Sequence, residues 1–168
     1  MTRTAAGWSA RALWAGCVLL ALSAPPVDAQ LYQRRDLLGE PYQASSFAPC
    51  QEWGCRELGR TGQSHSGQSV TLQLIGQDIK LRLSLSPSGR VMGIEALAPA
   101  AVSRNAYWSR LTRQAFGQTF SPQRFAQCFA SLHGSVAQAQ LHGGGGEHYG
   151  VQCFRRSGYA GIRLYFDW

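Results

Sequence analysis

Two runs of alternating hydrophobic and polar residues dominate the middle of the chain. Val70, Leu72 and Leu74 alternate with Thr71 and Gln73; Ile79, Leu81, Leu83 and Leu85 alternate with Lys80, Arg82 and Ser84. A period of two puts every second side chain on one face, which predicts two half-buried strands. Gly76-Gln77 between them fits a two-residue type II′ turn with glycine first. That turn pairs Leu74 with Ile79, Leu72 with Leu81 and Val70 with Leu83, and leaves Thr71, Gln73, Lys80 and Arg82 for a solvated face. "SPSG" at 86–89 is a second turn, with proline at i+1 and glycine at i+3, leading into a third strand, "RVMGIEAL". Two registers are open there. A bulged turn points Val91 and Leu97 inward, whereas plain alternation buries Met92, Ile94 and Ala96 and sets Glu95 opposite Lys80. The second is preferred because it pairs opposite charges across strands.

The period then changes to that of a helix. In "SRNAYWSRLTRQAFG", Tyr107, Trp108, Leu111 and Ala115 fall on one face and Gly117 is placed to end the helix. In "FSPQRFAQCFASLHG", Ser121 is the cap, Pro122 takes the first helical position, and Phe120 and Phe125 form a hydrophobic staple around a stripe of Phe125, Cys128, Phe129 and Leu132. The remainder reads as strands: "SVAQAQLH", for which an extension of the second helix is the alternative, "HYGVQCFRR" with Tyr149, Val151 and Cys153 on one face, and "GIRLYFDW" with Ile162, Leu164, Phe166 and Trp168 on one face. The expected fold is α+β: an antiparallel sheet of about five or six strands in the order βββ-αα-βββ, with both helices on one face. Residues 69–168 make up this domain. Residues 30–68, rich in Gln, Ser, Gly and Pro, read as an irregular arm, with "CQEWGC" a small loop and "RTGQSHSGQ" a linker into the first strand.

Ahead of the arm, Arg3 and Arg11 without an acid precede the apolar run Ala12–Leu22, and Val27 and Ala29 occupy the small-residue positions of a cleavage site. Residues 1–29 therefore read as a signal peptide cut after Ala29, and the protein as exported, to the periplasm or outside the cell. Cys17 lies too early in the apolar run for a lipidation site. Removing residues 1–29 takes away Arg3, Arg11 and Asp28 and leaves 139 residues, with 14 basic against 8 acidic, a net +6. Of the 16 basic residues in the whole chain only Lys80 is lysine, a bias that coding composition produces without function, so charge alone does not specify nucleic acid. Four cysteines remain, and an even count in an exported chain predicts two disulfides. Cys50 and Cys55 form a short staple. Cys128, on the inward stripe of its helix, faces Cys153, on the inward side of its strand.

The stretch "HGGGGEH" at 142–148 suggests chemistry. As a lipase-like oxyanion loop it needs a G-x-S-x-G elbow, and no such pentapeptide occurs; "GQSHSG" is the nearest. As a metal site it offers His142, Glu147 and His148, with His65 and His133 distant, on a glycine loop that loses entropy when ordered. The four glycines read as a flexible hairpin connection. The cysteines are consumed by disulfides, and no close carboxylate pair marks an acid/base site. No cofactor is expected. The binding reading rests on Lys80, Arg82, Arg155, Arg156 and Arg163, with Tyr159 and Tyr165 available for stacking. It anticipates a non-enzymatic binding domain for an anionic polymer or an acidic protein surface, with a metal-dependent hydrolase around residues 142–148 as the alternative.

Overall fold

A computed structural model describes residues 37–63, 65–143 and 149–166. The expected signal segment and its cleavage point, and Glu147, His148 and Trp168, lie outside them. The elements are α1 (Ala48–Trp53), β1 (Cys55–Gln63), β2 (Gly67–Leu74), β3 (Lys80–Leu85), β4 (Val91–Pro99), α2 (Asn105–Phe116), α3 (Pro122–Ala130), β5 (Val136–His142), β6 (Tyr149–Arg156) and β7 (Tyr159–Phe166). The strands form one antiparallel sheet in the order β1-β2-β3-β4-β7-β6-β5. The count among the described residues is therefore seven strands and three helices, not five or six strands and two helices.

The additional strand is β1, in the segment read from sequence as irregular. None of its nine side chains is buried, so no apolar alternation marks it. It is an edge strand held by its ladder to β2 and by the Cys50–Cys55 disulfide at its start. Glu57 and Arg60 pair at 2.6 Å, and this hydrogen bond holds the Glu57 carboxyl below its usual range. The stretch read as a linker is the β1–β2 hairpin itself. The described residues before β1 pack on the domain, since Leu37, Leu38 and Phe47 belong to the same buried cluster as the strands. Gly39 donates to the Val91 carbonyl at 2.7 Å and Tyr42 to that of Gly89 at 2.9 Å, tying this segment to the start of β4.

The β2–β3 register is the expected one, Val70 opposite Leu83 and Leu72 opposite Leu81, with the Leu74 N–H donating to the Ile79 carbonyl at 3.0 Å. The connection is a five-residue loop, 75–79, not a two-residue turn. The strands stop at Leu74 and Lys80, and the Gln73 amide donates to the Gln77 and Ile79 carbonyls at 2.9 and 3.0 Å, closing the loop with a side chain. In β4 each sequence register holds for part of the strand. Leu85 pairs Val91 but Ser84 pairs Gly93, so Met92 is an extra residue. A bulge of this kind shifts the alternation by one, which buries Val91 on one side of it and Ile94 and Ala96 on the other. It also sets Glu95 opposite Arg82, not Lys80.

α2 and α3 form the crossover from β4 to β5. Tyr107, Trp108, Leu111, Ala115 and Phe116 of α2 are buried in one cluster with the inward residues of the sheet. Gly117 ends α2 at φ 69 and donates to the Arg113 carbonyl at 2.7 Å. Ser121 caps α3 by accepting from the Arg124 N–H at 3.3 Å, and the Phe120 and Phe125 rings meet 6.4 Å apart. Cys128 and Cys153 are joined, with Cα atoms 6.2 Å apart, which pins α3 to β6.

Tyr107 lies between Trp53 and Trp108, ring centroids 4.6 and 5.1 Å away, and its buried hydroxyl has no hydrogen-bond partner. Burial first, and the nearby Glu52 charge second, push that hydroxyl far above its ordinary titration range. An unpaired buried hydroxyl carries an uncompensated desolvation cost. Tyr107→Phe is therefore expected to keep stability or raise it by up to about 1 kcal/mol, read from urea midpoints.

Candidate anion-binding face

With the helices on one side, the other side of the sheet is open. Its side chains follow from the register. One row across the strands is Thr71, Arg82, Glu95, Arg163, Gln152 and Gln140. A second runs Arg56, Gln73, Lys80, Leu97, Gly161, Phe154 and Gln138, and a third Thr61, Ser69, Ser84, Gly93, Tyr165 and Gly150. Tyr159 and Arg156, opposite each other at the far end of β6 and β7, share this side. Lys80, Arg82, Arg156, Arg163, Tyr159 and Tyr165 thus stand on one face, joined by Arg56 from the segment read from sequence as irregular.

Arg155 does not join them. It follows Cys153 on the covered side, where its Nη1 donates to the Leu132 carbonyl at 3.3 Å just beyond α3. Alternation separates it from its neighbour Arg156.

Among the described strand residues of the open face, five are basic and only Glu95 is acidic. Glu95 is already engaged: Arg163 Nη2 donates to its Oε2 at 2.9 Å. Arg82 Nε donates to Ser69 Oγ at 3.0 Å, which steadies the guanidinium and leaves its other N–H groups for a ligand.

Three glycines shape the surface. Tyr165 lies over Gly150, where a Cβ would overlap the tyrosine hydroxyl, and Gln140 donates to that hydroxyl at 3.2 Å. Phe154 lies over Gly161, and the Arg163 guanidinium sits 5.8 Å from the Phe154 ring centre. Each ring covers the gap a glycine leaves in the pleated surface. Gly93 has no such cover; a Cβ added there would meet only the Leu164 carbonyl oxygen at 3.3 Å and Ser84 Cβ at 4.0 Å. The result is an open depression of about 390 Å³ in mid-sheet, bordered by Ser69, Arg82, Ser84, Glu95, Arg163 and Tyr165. Sequence reasoning missed Gly93 because a strand glycine signals a close approach or a bulge but not which neighbour leaves it uncovered.

His142 lies on the covered side, opposite Val151. Its ring is 5.3 Å from Phe120 and 5.2 Å from Tyr149, and its Nε2 is 3.0 Å from the Tyr149 hydroxyl. These contacts make it part of an aromatic cluster with Phe116 and Phe166. Among the described residues no group of three His, Cys, Asp or Glu side chains is placed to hold a metal.

No family model matches the chain, and none of the curated proteins or solved structures compared with it matches either.

Proposed function

We propose that the protein is an exported, non-enzymatic binding domain whose open sheet face takes an anionic polymer. The observation that carries this reading is the charge on that face: Arg56, Lys80, Arg82, Arg156 and Arg163 against one engaged carboxylate. The spacing favours a polymer over a small anion. From β1 to β6 there are five steps in strand order, about 24 Å at the usual interstrand distance. A chain of regularly spaced anions spans that width, while Tyr165 and Tyr159 offer rings for stacking. Two disulfides fit an oxidising compartment, and no described helix is long and apolar enough to cross a membrane.

The metal-dependent hydrolase draws no support from His142, which is the only one of its three ligands among the described residues and packs in the aromatic cluster.

Binding of dextran sulfate, with neutral dextran as control, tests the reading. Affinity for the sulfated polymer is expected to fall at least tenfold between 50 and 200 mM salt, as counterion release by several cationic contacts requires. Gly93→Val fills the depression without touching a charge and is expected to weaken binding several-fold at constant salt. Equal binding of both dextrans would remove the proposal.

A further inference from the structure

A second pocket, on the covered side, combines cationic groups with apolar walls. It has a volume of about 380 Å³ and is lined by the β4–α2 connection together with residues of α2, α3, β6 and β7. Val102, Trp108, Phe129 and Ala160 supply apolar surface, and Arg104 and Arg155 are its charged members; no carboxylate among the described residues lines it. Arg104 Nε is buried and has no hydrogen-bond partner. Arg155 donates through Nη1 to the Leu132 carbonyl, which holds the guanidinium at the pocket and leaves its remaining N–H groups available. Arg104 is also the N-cap of α2, and neither a capping side chain nor an acid in the first turn offsets the positive end of that helix.

A buried guanidinium N–H without an acceptor is costly. Two guanidiniums facing one cavity suit an oxyanion, which accepts from such groups in a bidentate manner. The apolar part of the lining suits a short hydrocarbon or aromatic body. We infer that this pocket binds a small amphipathic anion, with its carboxylate or phosphate head on Arg104 and Arg155 and its apolar body against Trp108 and Phe129. The site is separate from the open sheet face, and Arg155 acquires a role there that its position denies it on that face.

Calorimetric titration of the intact protein with octanoate, octyl phosphate and neutral octanamide tests this. At least one of the two anions is expected to saturate a single site, with the tighter one identifying the head group, and octanamide to bind at least tenfold more weakly. Arg104→Gln and Arg155→Gln are each expected to weaken anion binding about tenfold. Ala126→Trp, at an exposed α3 position on the pocket rim, keeps both arginines and is expected to block the site, and it serves if an arginine variant does not fold. Lys80→Gln with Arg82→Gln, on the other face, is expected to leave this binding unchanged. Failure of both anions to saturate the wild-type protein, or unchanged affinity in Ala126→Trp, would overturn the inference.

Discussion

Removal of the Cys128–Cys153 bridge by alanine at both positions is expected to lower stability by about 3.5 kcal/mol, against about 2 kcal/mol for the same change at Cys50 and Cys55. The difference follows from the chain closed by each bridge, with sequence separations of 25 and 5. A longer loop removes more freedom from the unfolded chain. The long bridge also joins the inward face of α3 to a strand residue with no solvent exposure, so its loss disturbs the contact between the helical layer and the sheet. The short bridge ties only α1 to the start of an exposed edge strand. Urea unfolding of both double variants without reductant checks this; equal losses would show that the unfolded-chain argument does not govern this protein.

The second large effect is expected at Gly161, at the junction of the two halves of the sheet. A Cβ there overlaps the Ala96 carbonyl oxygen on β4 and comes within 2.9 Å of Phe154 Cζ. The ring alone could turn aside, but the carbonyl belongs to the β4–β7 ladder and cannot move without disturbing it. Gly161→Ala is expected to cost about 3 kcal/mol, the upper end for overpacking by one carbon. Gly59→Ala is the matched control. It lies in exposed β1 with no atom within 4 Å of the added carbon, so its stability is expected to change by no more than about 0.5 kcal/mol. Thermal melts of the two variants separate the effects; a harmless Gly161→Ala would mean that the close approach between β4 and β7 is not needed.

What the sequence revealed depended on burial. Val70, Leu72, Leu81 and Leu83 alternate because one side of their strands is covered and the other wet, so both the strands and their pairing could be read. The Ser121 cap and the Phe120–Phe125 staple were legible because they are local signals, fixed by residues close together in the chain. β1 was not, because no side chain of "CRELGRTGQ" is buried and hydrophobic pattern reports only burial. The β4 bulge was half legible: two registers competed, and the structure uses one on each side of Met92. For the candidate face, alternation was enough to put Lys80, Arg82 and Arg163 on the wet side. The same alternation, continued two residues past Cys153, separates Arg155 from Arg156. The depression at Gly93 was beyond reach, since it depends on which cross-strand neighbours lean over which glycines.

The central claim is that the open face, and not net charge, carries binding. Two variants with equal charge loss test it most directly: Lys80, Arg82 and Arg163 changed to Gln on the open face, and Arg110, Arg113 and Arg124 changed to Gln on exposed positions of the helices. Affinity for dextran sulfate at 100 mM salt is expected to fall at least thirtyfold in the first and no more than threefold in the second. Equal losses in the two variants would contradict the account.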